Sequence, residues 1–208
     1  MHRRMLLLGA AALAACVSHE VPDEPGDACA IFEQNDGWWR AVKRAEDRWG
    51  APPALQLAII RQESGFNHDI RPARGRGFLF FPGRRPSSAH GYAQALSSTW
   101  EEYERAGGDS GADRDEFSDA ADFVSWYAGG TQRELGIPFE DARAHYLAYH
   151  EGRGGYRRRS YEGNSTLRAS ASRVQSYRDT YAAQLDRCDG RLNRWCVGCM
   201  RARQTEKG

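Results

Sequence analysis

The stretch PPALQLAIIRQESGF, residues 52–66, decides how the rest of the chain is read. Pro52 and Pro53 stand where the first turn of a helix tolerates proline, because the earliest helical N–H groups have no intrahelical partner to lose. Leu55, Ala58, Ile59 and Gln62 then recur at three and four residues, the period of one helical face. Gly65 is the kind of residue on which a helix stops. An apolar run thus carries a single carboxylate, Glu63, next to a hydroxyl, Ser64, into the last turn. A glutamate at a helix end is ordinarily solvated. What this one does has to come from its surroundings.

Helical periodicity continues on both sides. Asn35 or Asp36 can cap a helix through Trp38, Trp39, Val42, Ala45 and Trp49, ended by Gly50. Ser98 with Glu101 has the spacing of a capping box, opening a helix through Trp100 and Tyr103. A further helix is predicted from about Glu116 to Leu135, with Phe117, Ala120, Ala121, Val124 and Tyr127 on one face. Another follows from about Phe139 to Tyr149, and a long one from about Thr166 to Leu185. Residues 65–90 match no periodic template, with three prolines, four glycines and Arg71, Arg74, Arg76, Arg84 and Arg85 around an apolar knot at Phe78, Leu79, Phe80 and Phe81. A loop this long is usually functional or disordered, and it has room for at most a short hairpin. No internal repeat is present. The expected architecture is an all-α domain with a loop-lined cleft, spanning residues 29–188, followed by a tail over residues 189–208.

The 208 residues, about 40 % of them apolar, suffice for one domain with a real core. With 29 basic against 28 acidic residues, the chain as a whole offers no electrostatic case for nucleic acid. Its start, MHRRMLLLGAAALAAC, is basic and then apolar over too short a length to span a bilayer, which reads as an export signal over residues 1–15. Leu13-Ala14-Ala15-Cys16 resembles the bacterial lipobox, which implies cleavage before Cys16 and acylation of that cysteine. The alternative is an ordinary secretory signal that contains a cysteine. Several acyl chains on one residue anchor stably, and Val17 after Cys16 resembles the sorting pattern of outer-membrane lipoproteins facing the periplasm. Residues 16–28, polar and proline-bearing, read as a tether. Cys29, Cys188, Cys196 and Cys199 remain, an even number in an oxidising compartment. Cys29 is expected to bridge Cys188, with Cys196 and Cys199 as a local pair. The tail lacks the histidines that would complete a zinc site, and a redox role lacks its βαβ setting. No metal or cofactor is implied.

Three segments fall in a telling order: Glu63-Ser64, then Gly91-Tyr92-Ala93-Gln94, then Ala148-Tyr149-His150. Together they resemble the soluble lytic transglycosylase family, goose-lysozyme-like members of the lysozyme superfamily, whose signatures are a Glu-Ser pair, a Gly-Leu-Met-Gln segment and an Ala-Tyr-Asn segment. The likeness covers roughly residues 30–187. Tyr92-Ala93 replaces Leu-Met, a change of packing, and His150 replaces Asn, a change of hydrogen bonding. The run Tyr149-His150-Glu151-Gly152 followed by Gly155-Tyr156 resembles a subgroup of the family.

The resemblance implies cleavage of the β-1,4 bond between N-acetylmuramic acid and N-acetylglucosamine in peptidoglycan glycan strands, leaving a 1,6-anhydromuramoyl end. The chemistry needs a carboxylic acid that still holds its proton near neutral pH. Glu63 would keep it through apolar neighbours and the partial negative charge of its helix end, both of which raise a carboxyl pKa. By the resemblance, Gln94 would bind substrate or hold the loop beside the acid, Tyr149 would orient Glu63 or the acetamido group, and Ser64 would buttress the pocket. Gly91 and His150 share those family segments. Tyr92 or Trp126 could supply a sugar-stacking face, although Trp38, Trp39, Trp49 and Trp126 stand at helical core positions. His145 and His150, five apart, do not share a helical face and make no metal pair. Gly152-Arg153-Gly154-Gly155 follows no strand, so it is not read as a phosphate cradle. The competing readings are a lysozyme-like hydrolase and a non-catalytic wall-binding lipoprotein. Product mass separates the first, since an anhydro end is one water lighter.

Overall fold

A computed structural model describes residues 21–72 and 87–195. Its elements are α1 (Ala28–Gln34), α2 (Asp36–Trp49), α3 (Pro53–Ser64), α4 (Ser97–Arg105), α5 (Phe117–Leu135), α6 (Ala142–Arg157), a 3-10 turn at Ser160–Gly163, and α7 (Ser165–Trp195). Among the described residues there is no strand; an isolated antiparallel bridge joins His90 and Ala95. The all-α architecture expected from periodicity is the one found. Among these residues no helix is long and apolar enough to cross a membrane. The export signal, Cys16, the Phe78–Phe81 knot with Arg74, Arg76, Arg84 and Arg85, and the Cys196 and Cys199 pair lie outside them.

Helix α3 is the hub, packed against α2, α5, α6 and α7. Every residue from Pro53 to Ile60 is buried. The single face read from the sequence is therefore too narrow, since a helix surrounded by partners is apolar all round. Gln56 is the polar residue in that buried run. Its side-chain amide donates to the carbonyls of Val42 (3.0 Å) and Ala51 (2.7 Å), so it ties α3 to the end of α2. Gly65 ends α3 in the left-handed region (φ 59°), as its sequence position predicts.

The other boundaries moved for local reasons. Helix α1 was not anticipated, because its seven residues are short for a periodic signal and Asn35 reads as the start of α2. In the structure Asn35 also closes α1, its side-chain amide donating to Ile31 O (3.2 Å). Ser98 does not open α4. The N-cap is Leu96, and the Ser97 N–H is taken by Ser88 Oγ (3.0 Å) from the preceding loop. Helix α6 starts at Ala142, capped by Asp141, and continues past Tyr149 through a kink at Gly152 (φ 73°, ψ 156°). Helix α7 runs ten residues beyond Leu185, to Trp195.

Cys29 and Cys188 are joined by a disulfide between α1 and α7. Part of the segment read as tether belongs to this corner: Tyr181 donates to Pro25 O, and Gln184 donates to Gly26 O (3.0 Å). Packed order thus begins ahead of residue 29.

Candidate active site

Glu63, largely buried at the end of α3, lines a cleft of about 420 Å³. One wall is the segment ahead of α4, with Ser87, Ala89, Gln94, Ala95 and Leu96, and Thr99 from α4 itself. The floor is Phe123 and Tyr127 of α5, and the facing wall is Tyr149, His150, Glu151 and Gly152 of α6. The chain places these groups together because α3 ends where α5 and α6 pack against it, and because the segment after residue 87 is folded onto the same end.

The surroundings of Glu63 fix its proton affinity. Burial pushes its carboxyl from the ordinary 4.5 up to about 7, and a hydrogen bond from Tyr146 works weakly against that. Tyr149 lies close enough for the Glu63 charge to act on its phenol, which burial in any case holds well above its usual range. Its hydroxyl therefore stays a donor, and it donates to Ala93 O (2.6 Å). Tyr127 donates to Ala148 O (3.0 Å), bracing α6 against α5.

Gln94 lines the cleft, with its side-chain amide donating to the carbonyls of Ile70 and Gly91, each at 2.8 Å. Those two bonds hold a backbone bend at φ 46°, a region that costs a non-glycine residue about 1 kcal/mol or more. Of its two sequence-expected functions, holding the loop is the one that its amide protons perform. Gly91 serves the same bend. Its φ is 73°, and a Cβ there would stand 2.0 Å from Arg114 O, so only glycine lets the two backbones meet.

Three expectations are corrected. Tyr92 is fully buried and packs edge-on against Trp38 and Phe117, so it offers no face to a sugar. Trp126 is buried under Arg153 and does not line the cleft. Ser64 is buried, its hydroxyl donates back to Ile60 O (3.2 Å) within α3, and it does not line the cleft, so it is not placed to bind substrate directly. His150 does line the cleft, half-exposed beside Glu151. His145 is in the core, stacked on Phe139, where burial lowers its pKa to about 4 and keeps it neutral. Arg71 faces Asp69 (3.6 Å) within the loop and Asp115 (3.9 Å) on the segment ahead of α5, which ties the loop's base to that segment.

Sequence reasoning passed over Tyr146, Phe123, Thr99 and Glu151, and took Tyr127 only as core. Tyr146 could have been found from its spacing, since it stands one helical turn before Tyr149 and so shares its face. Phe123 and Tyr127 are four apart on α5 for the same reason. Thr99 carries no sequence signal.

The family model described as Transglycosylase SLT domain matches residues 4–188. Neither a curated protein nor a solved structure matches the chain. A match over most of the 208 residues shows that the chain belongs to the transglycosylase SLT domain family, which acts on peptidoglycan.

Proposed function

We propose that this protein is a lytic transglycosylase that cleaves the β-1,4 bond between N-acetylmuramic acid and N-acetylglucosamine, with Glu63 as acid and then base. The observation that carries the reading is the carboxyl of Glu63 at the cleft, its pKa raised by burial to about 7 so that a large share of it keeps its proton near neutral pH, where an ordinary glutamate is ionised. Glu63 gives its proton to the bridging oxygen as the C1–O bond breaks. The substrate's acetamido group supports the cationic carbon. The C6 hydroxyl of the same muramoyl residue then attacks C1, and its proton passes to the Glu63 carboxylate. The bond count closes with a 1,6-anhydro ring, a released sugar hydroxyl and a restored acid. Gln94 holds the loop that forms one wall, and Tyr149 orients the site from the other.

A hydrolytic version has one observation in its favour, a second carboxylate, Glu151, in the same cleft. Digestion of purified sacculi followed by mass spectrometry decides between them. Anhydro-ended fragments are expected, lighter by one water than hydrolysed ends, and Glu63→Gln is expected to abolish their release while melting like the parent. Hydrolysed ends alone would refute the transglycosylase reading, and turnover by Glu63→Gln would remove Glu63 from the mechanism.

We place the protein on the outer membrane, facing the periplasm, through acyl chains on Cys16. The support is the lipobox-like LAAC ahead of an even set of cysteines. Cys16→Ser should shift the protein from the membrane fraction to the soluble one. Unchanged fractionation would count against the anchor.

A further inference from the structure

Glu151 has no part in the mechanism above, yet the fold goes to some length to fix it on the cleft wall. It follows Tyr149 and His150 on α6 and retains about a fifth of its side-chain exposure. The hydroxyl of Ser160 donates to its Oε2, and His150 Nδ1 lies 3.3 Å from its Oε1. Ser160 comes from the turn beyond α6, and three backbone features bring it there. Gly152 kinks the helix at φ 73° directly after Glu151. Gly155 is buried against the pair, where a Cβ would stand 2.9 Å from Glu151 Cβ and 3.0 Å from Ser160 Oγ. Arg159, just ahead of Ser160, takes a left-handed φ of 58°. A carboxylate that merely solvated a helix surface would need none of these.

We propose that Glu151, steadied by Ser160 and His150, is a substrate-binding carboxylate that accepts hydrogen bonds from hydroxyl or acetamido N–H groups of the glycan lying in the cleft. This rests on the glycan-cleaving reading of Glu63. Each carboxylate oxygen has two acceptor positions, so one bond to each from the protein leaves capacity for a ligand. The Ser160 bond also lowers the proton affinity of Glu151, which favours a fixed anionic acceptor over a base that must take a proton from water. The two carboxyls of the cleft are thereby driven apart in character, Glu63 towards the neutral acid and Glu151 towards the anion.

The test uses the full chain carrying Glu63→Gln, so that binding is read without turnover. Its affinity for a peptide-free glycan oligomer of alternating N-acetylglucosamine and N-acetylmuramic acid is compared with that of Glu63→Gln/Glu151→Gln and Glu63→Gln/Ser160→Ala. Loss of a charged acceptor is expected to weaken binding roughly tenfold, and loss of its support by a smaller factor. In the otherwise intact enzyme, Glu151→Gln should raise KM by a similar factor while kcat stays within about threefold. Equal affinity with and without Glu151 overturns the proposal alone. Failure of the Glu63→Gln parent to bind the oligomer overturns the glycan reading and this proposal with it. A loss seen only with amine-bearing stem peptides attached would assign Glu151 to the peptide and overturn the glycan assignment. A collapse of kcat at constant KM would make Glu151 a base and overturn it too.

Discussion

The working pKa of Glu63 is a balance between burial, which raises it, and the Tyr146 hydroxyl, which lowers it. On the proposed mechanism, that balance sets the alkaline limit of activity. Above about pH 7 the folded protein increasingly holds Glu63 ionised, and the proton needed for the leaving oxygen is gone. Activity on sacculi should therefore fall as pH rises through that value. Tyr146→Phe removes the one opposing interaction, so the carboxyl becomes harder to ionise and the descending limb of the pH profile should move to higher pH. A limb that stays in place or moves lower would show that Tyr146 does not act on the acid. The place of Glu63 beside Gln94, Tyr149 and His150 in one cleft was legible in the sequence from the apolar run, the glycine stop and the two later motifs. The role of Tyr146 was not, because a tyrosine on an amphipathic helix looks the same whether its hydroxyl meets water or a buried acid.

At the scale of elements, the helices with long apolar faces and clear stops were readable: α2, α3 and α5 have the bounds that Gly50, Gly65 and Gly136 impose. Elements whose ends are set by distant groups were not. The start of α4 depends on Ser88, and the course of α6 depends on a kink rather than a stop at Gly152. The close pairing of α2 with α5 turns on Gly129, where a Cβ would stand 2.4 Å from Trp49 O. Gly129→Ala forces the helices apart at that crossing. It is expected to cost about 1–3 kcal/mol, as overpacking does, despite the better helix propensity of alanine. Chemical denaturation reads this directly, and a midpoint equal to or above the parent's would mean the crossing yields without strain. Because α5 carries Phe123 and Tyr127, some loss of activity should accompany the shift.

For the whole molecule, the disulfide closes a loop of 159 residues in sequence separation. Chain-entropy reasoning assigns such a crosslink about 2–5 kcal/mol, through the freedom it removes from the unfolded chain. Replacing both Cys29 and Cys188 by serine should lower the denaturation midpoint accordingly, with the cleft and its pH profile unchanged. An unaltered midpoint would mean that the bonds from Tyr181 and Gln184 already fix this corner. The all-α class was legible because helical periodicity is local. The sugar-facing side of the cleft was less so, since Tyr92 and Trp126 read as surface or core by type alone, and only the packing of Trp38, Phe117 and Arg153 around them decides. The corner where Pro25 and Gly26 meet α7 has a mechanical meaning. A pull on the chain ahead of Pro22 is taken up by a covalent link and the longest helix, and neither α1 nor α7 lines the groove. Tension from a leash would thus be shunted around the groove, leaving its geometry at rest while the body is held under strain.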